Sequence, residues 1–160
     1  MKVIDHPARM EVGLLAAVGK EDVQKAGGML KQYCSIKATV DDFKKYEAEI
    51  KATIYEGEKA RRLSAEELYA NKTANAVLLA QNQLVAAQKL ELTKASIERA
   101  VDMIVDDEVK QVVTCRYIRG FSYSETMSFM GWGIKSATLD RRLKKGVSSV
   151  ANTLKMWGVI

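Results

Sequence analysis

Residues 106–154 read DDEVKQVVTCRYIRGFSYSETMSFMGWGIKSATLDRRLKKGVSSVANTL, and this stretch decides the fold. Three helical patterns lie close together in it, separated by Gly120 and by the pair Gly131 and Gly133. Asp106 or Asp107 is placed to cap the first, whose apolar positions Val109, Val112, Val113 and Tyr117 recur at helical spacing. Gly120 ends it. Ser122 and Glu125 then stand at capping-box spacing, so hydroxyl and carboxylate each satisfy an orphan N–H at the start of a second helix. Gly131 stops that helix early, and Ser136 is the expected N-cap of a third. Two helices joined by a tight glycine-containing turn make a helix-turn-helix outline.

The third pattern carries the chemistry. Leu139 and Leu143 share one face, continued by Val147, Val150 and Leu154. At about 100° per residue, Ala137, Arg141, Lys144 and Lys145 fall opposite, with Thr138 and Arg142 beside them. The apolar side would anchor such a helix in its own domain. The basic side would meet phosphates and base edges. Lys135, Ser136, Thr138, Arg141 and Arg142 are the base-edge and groove candidates, because recognition helices contact bases with their N-terminal residues. Lys144, Lys145 and the helix start at Ser122 and Tyr123 are the phosphate candidates. The plainer alternative is a solvated basic helix end, which the helix dipole also favours.

The same residues resemble the fourth conserved region of bacterial sigma factors, the domain that reads the upstream promoter element. The match rests on Asp106-Asp107-Glu108, Arg116-Tyr117-Ile118, Gly120, Ser122-Tyr123 with Glu125, Met130-Gly131, and Leu139 with Arg142-Leu143. More closely, the chain resembles the ArpU/RinA-type phage regulators of late transcription, which carry such a domain behind a helical N-terminal part. The stronger resemblance covers the last third of the chain. A weaker one covers Leu30 to Ile54, beginning LKQYCSIKATVDDFKKYEAEI. It implies a phage or prophage activator of late genes that binds double-stranded DNA, with host RNA polymerase as a candidate second partner. The chain departs from the pattern at Thr126, where an apolar residue is usual, and at Met127, where a small one is. It also has a longer turn from Gly131 to Lys135, and Gly146 where alanine is usual.

Composition agrees with a helical DNA-binding protein. The 160 residues are 48% hydrophobic and 28% charged, with a single proline, which points to an all-α chain with a core. The net charge of +5 is unevenly spread. Residues 109–160 hold nine Lys/Arg against two Asp/Glu, and residues 1–108 hold sixteen against eighteen. A basic end on a slightly acidic body suits a polyanion-binding module beside a part with another task. Cys34 and Cys115 both fall on apolar helical faces and read as reduced core residues. His6 is the only histidine, so neither a zinc site nor a catalytic triad has its ligands, and there is no phosphate loop of Walker type. No cofactor, no metal and no enzymatic activity are expected.

Residues 1–20 read as a tail followed by a short helix. The apolar run from Val12 to Val18 is far short of a membrane span, and Asp5, His6 and Glu11 argue against a signal peptide, so a cytoplasmic protein without membrane contact is expected. Between Glu21 and Lys37, Val23, Ala26, Leu30, Tyr33 and Cys34 follow helical spacing, with Gly27-Gly28 a possible late start. Thr39 is placed to cap a second helix with Phe43, Tyr46, Ile50 and Ile54 on its apolar face, ended by Gly57. Ser64 and Glu67 stand at capping-box spacing with Leu63 and Leu68 as a staple. From Ala65 the chain runs as one helix, or as two with a break around Asn71 to Asn75. Leu78, Val85 and Leu92 repeat every seven residues with Gln81 and Gln88 between them, and Ile97, Val101 and Ile104 continue an apolar face. That stripe either packs on the N-terminal helices of the same chain or forms a dimer seam. The tail Lys155-Met156-Trp157-Gly158-Val159-Ile160 either covers the domain core or touches a partner.

The expected architecture is therefore all-α: a tail at 1–20, a helical and oligomerising part at 21–105 with a long connecting helix, and a helix-turn-helix at 106–160. The expected function is sequence-specific binding of double-stranded DNA by a homodimeric transcription regulator. The alternatives are a DNA-packaging protein of small-terminase type and a polymerase-binding adaptor with no DNA readout of its own.

Overall fold

The computed structural model describes residues 17–63 and 67–160. Among these residues there are five α-helices and no strand: α1 Lys20–Leu63, α2 Glu67–Asp102, α3 Asp107–Val113, α4 Tyr123–Met130 and α5 Ser136–Met156. A π-helical turn, Thr114–Ile118, prolongs α3. No described helix is long and apolar enough to cross a membrane. The described residues form two compact units, Gln32–Glu98 and residues 17–31 together with Arg99–Ile160. The division thus runs through both long helices.

The unit Gln32–Glu98 is an antiparallel pair made of the middle of α1 and most of α2. Tyr33 donates its hydroxyl to Glu98 at 2.5 Å, Lys44 pairs with Glu91 at 3.3 Å, and Gly57 meets Val77, so positions rise along one helix as they fall along the other. The buried stripe is Tyr33, Ile36 and Val40 on α1 against Val77, Ala80, Ala87 and Ile97 on α2. Small residues line it because the helices approach closely: a Cβ on Gly57 would stand 2.2 Å from Val77 Cγ2.

This packing overrides three expected breaks. α1 runs unbroken through Gly27-Gly28, through Thr39 and through Gly57. Thr39 caps nothing; its hydroxyl donates to the Ser35 carbonyl one turn back. Gly57 sits at a helix crossing, and a Cβ on Gly27 would stand 3.7 Å from Val147 Cγ1, an ordinary contact. α2 is also one helix, without a break around residues 71–75. The capping box at Ser64 and the staple of Leu63 and Leu68 lie outside the residues described. So do residues 1–16 of the expected tail.

Three apolar assignments are corrected. Leu78, Val85 and Leu92 do not pack on their own chain: they are 56%, 64% and 70% exposed. The inward stripe runs one position earlier, through Val77, and takes alanines because they fit. Tyr46 and Cys34 are likewise exposed on α1, whereas Cys115 is buried. The C-terminal tail does not cover the core either, since Met156, Trp157 and Val159 are exposed. Leu154 is the last buried residue. Gly158, with φ 68°, turns the chain outward while the Val159 N–H caps the Leu154 carbonyl at 2.9 Å.

In the second unit α3 and α5 pack most intimately. Val109, Val112, Val113, Leu139, Val150 and Leu154 are fully buried, joined by Ala26 and Leu30 from the start of α1, by Ala100 and Val101 from the end of α2 and by Ile104 just beyond it. Asp106 caps α3, its carboxylate accepting from the N–H groups of Glu108 and Val109. Lys155 near the end of α5 reaches Asp22 in the first turn of α1 at 2.7 Å. Its contact, more than the Gly19 N–H, holds the Asp22 carboxyl below the usual range.

Candidate nucleic-acid interface

The helix-turn-helix is assembled from α4, the turn 131–135 and α5. The capping box at its entrance is present in full: Ser122 Oγ accepts from the Glu125 N–H at 3.2 Å and Glu125 Oε2 accepts from the Ser122 N–H at 2.7 Å. The Ser122 backbone N–H, and after it the Ser122 hydroxyl, hold the Glu125 carboxyl below its usual range. Thr126, buried where the sigma-like pattern has an apolar residue, satisfies its hydroxyl on the Ser122 carbonyl at 2.8 Å. Arg116 donates to the Phe121 carbonyl at 2.9 Å, Phe121 meets Phe129 edge to face at 5.9 Å, and Arg119 lies over the Phe129 ring. Together these contacts brace α4 against the π turn.

Gly131 closes α4 with φ 101° and Gly133 also has φ 101°, a backbone region that side chains other than glycine's rarely enter. Nothing lies within 4 Å of a Cβ at either site, so the backbone conformation, not crowding, demands glycine there. α5 starts one residue earlier than expected, since Ser136 was read as its N-cap. Lys135 occupies the cap and makes no side-chain capping bond; Ser136 is already helical. The first N–H groups of α5 are thus not taken by a capping side chain.

The nine candidate contacts separate into three sets. Lys135, Ser136, Arg141 and Lys144 are exposed, with Thr138 half-buried beside them. Among the described residues no carboxylate pairs with Lys135, Arg141 or Lys144. Arg142 and Lys145 are engaged: the Arg142 guanidinium bonds Glu108 Oε2, and Lys145 Nζ bonds Asp106 Oδ2 at 2.9 Å. Both pairs tie α5 to the acidic start of α3, and Lys145 is the main cause that the Asp106 carboxyl titrates low. Ser122 and Tyr123 form the third set. The Ser122 hydroxyl belongs to the capping box. The Tyr123 hydroxyl lies 2.9 Å from Asp140 Oδ1 and 3.2 Å from the Ser136 carbonyl, fixing the start of α5 on α4. Partial burial, then the Asp140 carboxylate, raises that hydroxyl above the ordinary phenol range.

Two features of the face had no place in the sequence reading. Asp140 sits on the exposed side of α5 between the cations, so the face is not uniformly basic. Trp132, at the tip of the turn, is 107% exposed. The Asp140 charge was visible at helical spacing beside Arg141. The partners of Arg142 and Lys145 are 34 and 39 positions away in the chain and left no local signal. Among the described residues no group of three or more His, Cys, Asp or Glu is placed to hold a metal ion. Scanned against protein-family models, curated proteins and solved structures, the chain matches none.

Proposed function

We propose that this protein is a sequence-specific, double-stranded-DNA-binding regulator of transcription, and that α5 is its recognition helix. One observation carries this reading. Lys135, Arg141 and Lys144 line the exposed side of a helix whose opposite side, through Leu139, Val150 and Leu154, is fully buried. A helix fixed by one face and offering exposed cations on the other suits entry into a major groove. The resemblance to ArpU/RinA-type regulators extends the proposal to a phage or prophage activator of late genes. The exposed row Leu78, Val85 and Leu92 supports a homodimer, which would read paired half-sites.

Selection of bound duplexes from a random-sequence pool tests the reading. A recurring sequence, lost on Arg141→Ala with circular dichroism unchanged, is the expected result. A folded protein that retains no duplex at low salt, where phosphate contacts are strongest, would overturn it.

A further inference from the structure

The most exposed large apolar side chain described in this chain is Trp132. Tryptophan usually buries most of its surface, so an indole held entirely in water asks for an occupant. The turn offers it no retreat. Gly131 and Gly133 on either side both adopt φ 101°, and the turn is anchored by Gly131 at the end of α4 and by Lys135 at the start of α5. Trp132 also borders a specific place. It lines an open hollow of about 450 Å³ together with Ile134, Lys135, Thr138, Arg142 and Glu108. Lys135, Thr138 and Arg142 are groove candidates on the proposed reading, and Glu108 is the carboxylate that holds Arg142.

We infer that Trp132 is itself a DNA contact, packing its indole on the deoxyribose and apolar base-edge atoms beside the groove that α5 enters. This rests on the reading of α5 as a recognition helix and adds a residue to it. The occupant follows from the mixture in the hollow. Cations at Lys135 and Arg142 suit the phosphates, and an indole on the same hollow suits the apolar sugar and thymine methyl that phosphates flank. An apolar protein groove would match the indole and offer nothing to the charge of Lys135 beside it. Trp132 would then contribute affinity with little base selectivity, since every nucleotide presents a sugar. Preference for thymine would appear only where its methyl group meets the ring.

The chain has two tryptophans, so Trp157→Phe leaves Trp132 as the only indole and a direct reporter. The probe is the duplex that the parent protein selects from a random pool, with binding followed separately by anisotropy of dye-labelled DNA. The expected result is a blue-shifted or quenched Trp132 emission that saturates with the anisotropy. Trp132→Ala should weaken binding by about tenfold or more, with Trp132→Phe intermediate, as for loss of a buried aromatic contact. Circular dichroism should not change, because the side chain touches no core. Saturating anisotropy with unchanged Trp132 emission and unchanged affinity in Trp132→Ala would overturn the inference and leave the functional reading standing. An emission shift with purified RNA polymerase and none with DNA would overturn it in favour of a protein partner. Absence of any selected duplex would overturn the functional reading, and the inference with it.

Discussion

Gly146 of α5 faces Val113 of α3 so closely that a Cβ on the glycine would stand 2.2 Å from Val113 Cγ2 and 3.2 Å from Val109 Cγ1. Both valines are buried and β-branched, so neither can swing aside. Gly146→Ala should therefore destabilise the protein although it raises helix propensity. Overpacking costs about 1–3 kcal/mol against a propensity gain of about 1 kcal/mol. Val113→Ala opens the space, so the double variant should lose less than the sum of the single variants. Urea unfolding of all four proteins measures the coupling, and strict additivity would show that this contact does not set the α3–α5 spacing.

The two adjacent arginines of α5 should behave differently. Arg141→Ala should leave stability unchanged and weaken binding to a selected duplex by about tenfold or more, the scale of one lost guanine contact. Arg142→Ala should also lower stability by at most about 1 kcal/mol, because it breaks the partly exposed pair with Glu108. Glu108→Gln should do the reverse for binding, freeing Arg142 and tightening DNA affinity. Titrations of the three variants against one duplex decide this. Weaker binding by Glu108→Gln would show that the pair positions α5 rather than occupying a contact.

What was legible in the sequence was local. The Asp106 cap and the box of Ser122 and Glu125 join groups two or three residues apart, and both form as read. The glycines at 120 and 131 ended helices because their backbones turn left-handed. Gly27 and Gly57 were illegible because their role depends on what packs against them, and α1 runs through both. Which way the row Leu78, Val85 and Leu92 faces was illegible for a related reason: the close helix pair selects Ala80 and Ala87 for its inner stripe and leaves the larger residues outside. At the site, cation positions followed from spacing, while their pairing with Glu108 and Asp106 depends on how α3 meets α5.

Acid should weaken the second unit through two identified carboxylates. Asp22 is held low chiefly by Lys155 and Asp106 chiefly by Lys145. A carboxyl depressed in the folded state binds fewer protons than in the unfolded chain. Its stabilisation is thus present above about pH 3.9 and lost as pH falls through the lower folded value. Asp22→Asn with Asp106→Asn should reduce stability at neutral pH and flatten its dependence on pH below about 4. Urea midpoints across that range provide the check, and an unchanged acid slope would remove both residues from the explanation.

The row Leu78, Val85 and Leu92 should hold two copies together. Val85→Glu with Leu92→Glu should yield a folded monomer, since neither side chain is buried within its own chain. Light scattering at micromolar concentration would show the dimer mass in the parent and half of it in the variant. A monomeric parent would assign the stripe another role.

The pairing of Arg142 and Lys145 with carboxylates has a thermodynamic consequence for any encounter with a polyelectrolyte. A cation whose charge is already balanced inside the protein displaces fewer condensed ions when it meets a phosphate. It exchanges one anion for another, and Glu108 or Asp106 must then find a counterion of its own. The logarithmic dependence of affinity on salt falls by about 0.9 per phosphate neutralised. Were each to neutralise one phosphate, the five cations at 135, 141, 142, 144 and 145 would give a slope near −4.5, whereas the three without carboxylate partners among the described residues would give about −2.7 at most. Binding by this helix should therefore tolerate rising ionic strength better than its count of lysines and arginines suggests, and recognition would lean correspondingly more on contacts that salt does not screen.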